Sequence, residues 1–277
     1  MQKNALSCTR HYYSAAFSGV FDVKFRKGNH ERYEFSANVG VIGLNFAAEG
    51  PFSKKGKSSF LFNYRYSTLS VLDAVGIHVV SEDTRNIYQD MSFNVNIASK
   101  KKARVNIFGL GGISSEITNA KTDTAVWEKW TDKRQVDFLT NLGVLGVSWT
   151  QLLNEKSYVK TVVAYSYNDV TATEDTLGFN TKNRFRTTAL YDTQHKIGVH
   201  SFYNKKISAK LSTKAGVHFD QYFFKTIDGK YNHKTDTYRN HIDVASNTQL
   251  IRPYAQIKYR VSQKGTFIGG LHAVLLS

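Results

Sequence analysis

The sequence of residues 59–69, SFLFNYRYSTL, places an aromatic residue at every second position from Phe60 to Tyr66. A period of two is that of a β-strand, whose successive side chains point to opposite faces. The aromatic side chains therefore share one face, whereas Asn63 and Arg65 share the other. Variants of this pattern recur about ten times along the chain. Such strands separate two environments, so their apolar faces either meet in the core of a soluble sandwich or face lipid.

The chain has 277 residues, of which 41% are hydrophobic and 13% are aromatic. It contains no run approaching the roughly 18 consecutive apolar residues of a membrane-spanning helix, which excludes a helical membrane protein. A β-barrel leaves no such run, because only every second residue of its strands faces lipid. The composition therefore fits a membrane barrel as well as a soluble all-β unit.

The formal net charge of +15 suggests an anionic partner. The basic residues are spread over turns, loops and one strand face, and they do not form the single patch that nucleic acid requires. We therefore expect no nucleic-acid partner, and lipid phosphate is an equally good anionic neighbour. The densest basic groups lie in tight connections between predicted strands: Lys54, Lys55 and Lys57; Lys100, Lys101, Lys102 and Arg104; Lys205 and Lys206.

Cys8 is the only cysteine, which excludes an intramolecular disulfide and a zinc site built from cysteines. Residues 1–13 include Lys3 and Arg10 but show neither the apolar stretch nor the small-residue cleavage site of a signal peptide. If the protein is exported, we expect this chain to be incomplete at its start.

The apolar pattern changes phase between Arg32 and Phe46. Odd-numbered positions are apolar from Tyr33 to Val41, and even-numbered positions from Ile42 to Phe46. Gly40 and Gly43 flank the change, and a phase change beside glycine indicates a bulge or a tight reversal. We predict two short strands joined at this point.

The predicted connections alternate in length. Short ones lie at 98–102, 154–157, 204–207 and 262–265, and long polar segments at 70–86, 114–134, 169–188 and 226–247. Outer-membrane barrels combine short periplasmic turns with long extracellular loops, and the aromatic residues near the strand ends suit the two interfaces of a bilayer. We therefore predict an all-β fold, an antiparallel transmembrane β-barrel.

The residues that carry chemistry form no recognisable catalytic or metal site. Gly109–Gly112 is followed by neither a helix N-terminus nor the Lys-Ser/Thr pair of a phosphate loop. His195 and His200 are five positions apart and point to opposite faces of a strand, whereas a meeting of His233 and His241 in one polar segment is the less favoured alternative. The loop carboxylates lack a positioned partner for acid–base catalysis. We expect no enzymatic activity, metal or cofactor.

Two polar segments hold the candidates for ligand contact, Trp127 and Trp130 in the first and Tyr231, Tyr238 and Arg239 in the second. Aromatic side chains in such loops either stack on rings of a ligand or pin the loop to the barrel rim, and both alternatives stay open. A further group on the polar strand face is predicted to line the lumen: Asn63, Arg65, Lys160, Lys210, Lys214, Arg252, Lys258 and Arg260.

Residues 17–23 read FSGVFDV, residues 48–52 AEGPF, residues 63–67 NYRYS and residues 88–90 YQD. Together they resemble the junction between plug and barrel in TonB-dependent outer-membrane receptors of the Bacteroidetes type. The likeness is specific over residues 14–112 and only architectural beyond them.

The resemblance implies a barrel of about 22 strands filled by an N-terminal plug. Such a receptor imports a siderophore, corrinoid, glycan or peptide with energy from the inner-membrane TonB complex. Residues 1–29 would be the C-terminal tail of the plug, and residues 30–277 the N-terminal half of the barrel, about 11 strands. Because the pattern stops at Ser277 without a closing aromatic residue, we expect a fragment.

The implied partners are outer-membrane lipid, lipopolysaccharide and a surface lipoprotein. Two other functions stay open. One is a passive porin or adhesin-like outer-membrane barrel, and the other is a soluble β-sandwich that binds an anionic polymer.

Overall fold

The computed structural model describes residues 25–52, 57–69, 72, 76–77, 83–99, 102–178, 184–232, 234–263 and 265–277. Several features of the sequence lie outside these residues: the stretch at 17–23 and most of the predicted plug tail, together with Cys8, Lys54, Lys55, Lys100, Lys101 and His233.

The described strands form one antiparallel sheet in which each strand pairs with its neighbours in the sequence. The last, two-residue strand β12 pairs with β10 beside β11. The strands are β1 (Glu34–Val39), β2 (Gly43–Pro51), β3 (Ser59–Ser67), β4 (Thr84–Ala98), β5 (Ala103–Thr118), β6 (Arg134–Asn154), β7 (Ser157–Leu177), β8 (Arg184–Lys206), β9 (Leu211–Asn232), β10 (Thr237–Arg260), β11 (Thr266–His272) and β12 (Leu275–Leu276). Their arrangement is a meander whose sheet is open within the described part of the chain, with β1 at one edge and β11 and β12 beside β10 at the other.

The predicted break between Arg32 and Phe46 is confirmed. β1 and β2 are separate antiparallel strands, and the Gly40 N–H donates to the Gly43 carbonyl oxygen at 3.0 Å across the reversal. This reversal sets which residues of every later strand share a face, because shifting a strand by one residue moves all of its side chains to the opposite face.

The sheet is a single layer, so nothing in the described chain covers its apolar face. Only six hydrophobic residues are buried among the described residues, far fewer than a soluble unit of this size needs. Leu145 on β6 is 54% exposed and Val163 on β7 is 46% exposed. A sandwich would bury such side chains between two sheets, and this topology has only one.

Directly opposed residues define two faces that continue from strand to strand. The polar face includes Arg65 on β3, which lies opposite Asp90 on β4. The apolar face includes Val163, Val199 and Phe219, which lie opposite one another on β7, β8 and β9. β6 departs from its sequence pattern, because the apolar set from Val136 to Val144 lies on the polar face and Leu145, Val147 and Trp149 continue the apolar face.

Two of the four polar segments predicted as long loops are largely strand. β9 and β10 reduce the segment 226–247 to residues 233–236, and β7 and β8 reduce 169–188 to residues 178–183. The connections between β3 and β4 and between β5 and β6 are long, as predicted, at residues 68–83 and 119–133. The tight connections at the other end of the sheet are confirmed at 99–102, 155–156 and 261–265, whereas β8 continues to Lys206 and the turn predicted at 204–207 lies at 207–210. The two ends therefore differ in loop length along β3 to β6 and in how far the strands continue along β7 to β10.

The apolar face has a limited height. On β8 it runs from Tyr203 to His195, about 9 residues or roughly 30 Å of strand. Beyond His195 the same face becomes polar, and the Thr193 hydroxyl donates to an Asp169 carboxylate oxygen at 2.8 Å. No helical segment in the described ranges is long and apolar enough to cross a membrane.

Candidate functional site

A short segment before β1 lies on the polar face and is held there by a buried carboxylate. Glu49 on β2 is 8% exposed. Its two oxygens accept hydrogen bonds from both terminal nitrogens of Arg26, at 2.7 and 2.6 Å, and from the Asn29 N–H at 2.7 Å. A bidentate Arg–carboxylate pair fixes direction as well as position, so Glu49 determines where residues 26–29 lie.

Three further contacts attach this segment to β3, β4 and β5. The Asn94 side-chain amide donates to the Arg26 carbonyl oxygen at 2.9 Å. The Phe25 and Phe108 rings have their centroids 5.9 Å apart. Gly28 lies so close to β3 that an added Cβ would be 1.8 Å from the Phe60 carbonyl oxygen. The segment is therefore packed onto the sheet by polar, aromatic and backbone contacts.

Most of the residues predicted to line a lumen do lie on the polar face, several beside carboxylates or aromatic rings. The Arg65 Nε donates to Asp90 at 2.7 Å, and Asn63 donates to the Ser92 hydroxyl at 3.4 Å. Arg252 forms an ion pair with Asp220. Lys160, Lys258 and Arg260 also occupy polar-face positions of β7 and β10.

Two details of this surface differ from the sequence pattern. Lys210 precedes β9 and belongs to the turn between β8 and β9, where its carbonyl oxygen accepts the Arg260 N–H. The carboxylates Glu49, Asp90 and Asp220 were not identified as partners of the basic residues. Counting outward from the tight turns would have placed Asp220 beside Arg252, but no local pattern links Glu49 to Arg26.

The loop between β5 and β6 is compact and uses its two tryptophans differently. The Trp127 indole N–H donates to the Lys121 carbonyl oxygen at 2.8 Å, which pins the loop onto itself. Trp130 is 66% exposed, and the Arg134 guanidinium lies over its ring at 4.4 Å from the centroid. Arg134 in turn forms an ion pair with Glu174 on β7. Trp130 thus presents an open aromatic surface on a fixed support.

Asp132 organises the same loop. One of its carboxylate oxygens accepts the backbone N–H groups of Glu128 and Lys129 at 2.8 and 3.0 Å, and the other lies 3.2 Å from the Lys121 Nζ. These N–H groups, that of Lys129 foremost, and then the Lys121 ammonium hold the pKa of Asp132 below its ordinary value. The same ion pair raises the pKa of Lys121.

The second predicted group lies at the hairpin of β9 and β10. Tyr231 and Tyr238 are directly opposed, as are Lys230 and Arg239. The Tyr231 hydroxyl donates to Asp236 in the turn, and its ring centroid is 5.4 Å from that of Phe185. Hydrogen bonding to Asp236 raises the pKa of Tyr231. Tyr231 therefore contributes to the order of the hairpin, and Tyr238 is its directly opposed neighbour.

The two aromatic groups belong to different parts of the rim. β7 and β8 lie between β6 and β9, so two strands separate the tryptophan loop, which leads into β6, from the Tyr231–Tyr238 pair on β9 and β10. The described residues also contain no group of three or more His, Cys, Asp or Glu residues that could hold a metal ion. Ligand contact by Trp130, Tyr238 or Arg239 stays a prediction.

No protein-family model matches the sequence, and no curated protein does. Solved structures do match it. The copper transporter OprC superposes with a TM-score of 0.57 at 13% sequence identity, over 89% of this chain and 38% of OprC. The siderophore receptor PiuA from Acinetobacter baumannii superposes with a TM-score of 0.54 at 7% identity, over 91% of this chain and 47% of PiuA.

This likeness shows the fold. The chain has the architecture of part of an antiparallel β-barrel, and its sheet is open within the described residues. It spans less than half the length of either of these two proteins.

Proposed function

We propose that this chain is part of a TonB-dependent receptor of the Bacteroidetes type, which takes up a scarce nutrient across the bacterial outer membrane. In this proposal the apolar face contacts lipid and lipopolysaccharide, the polar face lines the lumen, and residues 1–29 form the end of a plug. Energy would come from the TonB complex, and a surface lipoprotein is a further proposed partner. The proposal assigns no chemical reaction to the chain.

The observation that carries the proposal is that the segment before β1 is packed against the polar face of the sheet. The bidentate Arg26–Glu49 pair holds residues 26–29 on the side that would be the lumen. A plugged receptor requires a segment that leads from the plug onto the inner wall, and residues 26–29 would be that segment. The names of the two similar structures, a copper transporter and a siderophore receptor, also support uptake of a scarce nutrient.

The geometry of the apolar face supports the membrane assignment. About 9 residues of strand, tilted as in barrels, span the roughly 25 Å of the apolar band of outer-membrane proteins. An open sheet cannot persist in a bilayer, because its edge N–H and C=O groups would lack partners. The proposal therefore includes further strands that pair with β1 and β11.

Site-specific labelling tests the orientation. With Cys8 replaced by serine, Lys234→Cys places a thiol in the β9–β10 turn and Lys156→Cys places one in the β6–β7 turn. We expect a membrane-impermeant maleimide to label Lys234→Cys on intact cells and Lys156→Cys only after the outer membrane is permeabilised. Equal labelling of both on intact cells contradicts the orientation, and recovery of the protein in the soluble fraction contradicts the membrane assignment.

Uptake measurements then separate the receptor from a pore. Cells that express the protein from its complete gene are compared with and without TonB on single sources of iron–siderophore, corrinoid, glycan and peptide. Loss of growth on one source without TonB supports active uptake. Growth that depends on the protein but not on TonB supports the passive porin instead.

A further inference from the structure

Two imidazole rings are stacked on the polar face of β8 and β9. His200 and His218 are directly opposed, their ring centroids are 3.6 Å apart, and their planes differ by 11°. The His200 Nε2 lies 3.0 Å from the hydroxyl oxygen of Tyr254 on β10, a side chain that is only 5% exposed. The stack is thus part of a packed three-strand cluster that the proposed uptake does not by itself explain.

Cations surround this cluster. The Lys214 Nζ lies 3.9 Å from the ring centroid of Phe202 and 5.5 Å from that of Tyr254. Arg252 and Lys196 share one carboxylate, Asp220, whose side chain is 8% exposed. Lys160 faces the cluster from β7, and no ion pair of Lys160 occurs within the described residues. Four cations therefore converge on a patch that holds a single carboxylate.

The charge and the ligand set argue against a metal at this position. Two histidines and a tyrosine fall short of the three His, Cys, Asp or Glu residues that a metal group requires, and no such group exists in the described ranges. A divalent cation would also be repelled by Lys160, Lys214 and Arg252. The same charges attract an anion, and Arg and Lys side chains are the usual partners of carboxylate and phosphate.

One nitrogen atom of the stack lacks a hydrogen-bond partner within the described part of the chain. The His218 Nε2 is buried and has no hydrogen-bond partner among the described atoms. A buried polar atom without a partner is costly and calls for an explanation such as a ligand. An imidazole nitrogen that carries a proton donates to an oxyanion, as do the neighbouring ammonium and guanidinium groups.

We propose that Lys160, Lys214, Arg252 and His218 form an oxyanion site on the polar face, which takes a carboxylate or phosphate group of a bound molecule. The site rests on the proposed function, because that function places the polar face in the lumen. Tyr254 and Phe202 form its aromatic floor. Asp220 is the internal carboxylate that holds Arg252 and Lys196 in place and competes with the ligand for their charge.

Direct binding measurements test the site without reference to transport. The protein, expressed from its complete gene and purified in detergent, is titrated calorimetrically with citrate and with inorganic phosphate. Lys214→Gln and Lys160→Gln should each weaken binding about tenfold, the effect of one lost charge-assisted hydrogen bond. Lys225→Gln is the matched control, because Lys225 lies on β9 but on the opposite face, and it should leave binding unchanged.

Asp220→Asn should change the affinity for the anion in the opposite direction. Removing the internal carboxylate should tighten binding of the anion, whereas a purely structural role of the cluster predicts weaker binding or none. Binding of citrate alone assigns the site to carboxylates, and binding of phosphate alone assigns it to phosphate groups. Absence of binding by both probes, or equal effects of Lys214→Gln and Lys225→Gln, overturns the site. These binding results do not test the membrane orientation, which the maleimide labelling tests separately.

Discussion

Removing the Glu49 carboxylate should release the segment before β1 from the sheet. In Glu49→Ala, the Asn29 N–H loses its acceptor and Arg26 loses both of its hydrogen bonds to the carboxylate. An orphaned N–H costs about 1–3 kcal/mol. The Arg26 side chain is 63% exposed and can be solvated again, so losing its ion pair with Glu49 costs what a surface pair costs, about 0–1 kcal/mol. We expect a local cost of about 2 kcal/mol.

Hydrogen exchange measures this cost where it arises. A change of about 2 kcal/mol in the opening free energy corresponds to roughly 30-fold faster exchange of the Asn29 amide. Glu49→Gln keeps one carbonyl acceptor for that N–H and should show a smaller acceleration. The remainder of the sheet should exchange at the rate of the unmodified protein.

Glu34 provides the matched control. It lies directly opposite Glu49 on β1 and also contacts this region, since its carboxylate accepts from the side chains of Arg32 and Asn29. Its side chain is 39% exposed and its partner Arg32 is 78% exposed, so Glu34→Ala should accelerate exchange only slightly. Equal acceleration in the two alanine variants, or unchanged exchange of Asn29 in Glu49→Ala, would refute the buried clamp.

Three further outcomes are expected. Val199→Arg on the apolar face should destabilise the protein in lipid vesicles by about 2–4 kcal/mol in urea unfolding, and Val162→Arg on the polar face should not; equal effects contradict the assignment of lipid to the apolar face. Trp127→Phe should cost about 1 kcal/mol of loop stability and speed proteolysis of residues 119–133, whereas Trp130→Ala should leave proteolysis unchanged. The pKa of Asp132 is lower in the folded protein than its ordinary value of about 3.9. Its stabilisation of the loop is therefore complete above that value and is lost as the pH falls through the lowered pKa. Tryptophan fluorescence should report this acid transition, and persistence of the transition in Asp132→Asn contradicts the role of Asp132.

Local periodicity was enough for the strands and for the break at Gly40–Gly43, because most strands are largely apolar on one face near the tight turns. It gave the wrong face for β6, because the clearest apolar alternation of that strand, from Val136 to Val144, lies on the polar face. Farther from the tight turns both faces of β7 to β10 carry polar residues, so alternation there does not distinguish the two faces. For the same reason the polar extensions of β7 to β10 resembled loops.

Contacts between strands were harder to predict than the strands themselves. His200 was compared with His195 on its own strand, whereas the residue that it meets is His218 on the next one. Both lie nine positions from Ala209 in the tight turn, so the register of that turn contained the signal. The Arg26–Glu49 pair had no such guide, because a segment that precedes the sheet is not bound to its register.

The unequal strand lengths give the sheet a sloping upper edge. β3 and β10 both have one end on the side of the tight turns, yet β3 has 9 residues and β10 has 24. The difference of about 15 residues amounts to roughly 50 Å along the strand. Under the proposed function, the polar face of β6 to β10 extends farther than that of β3, so it would offer an arriving molecule the longer strand surface.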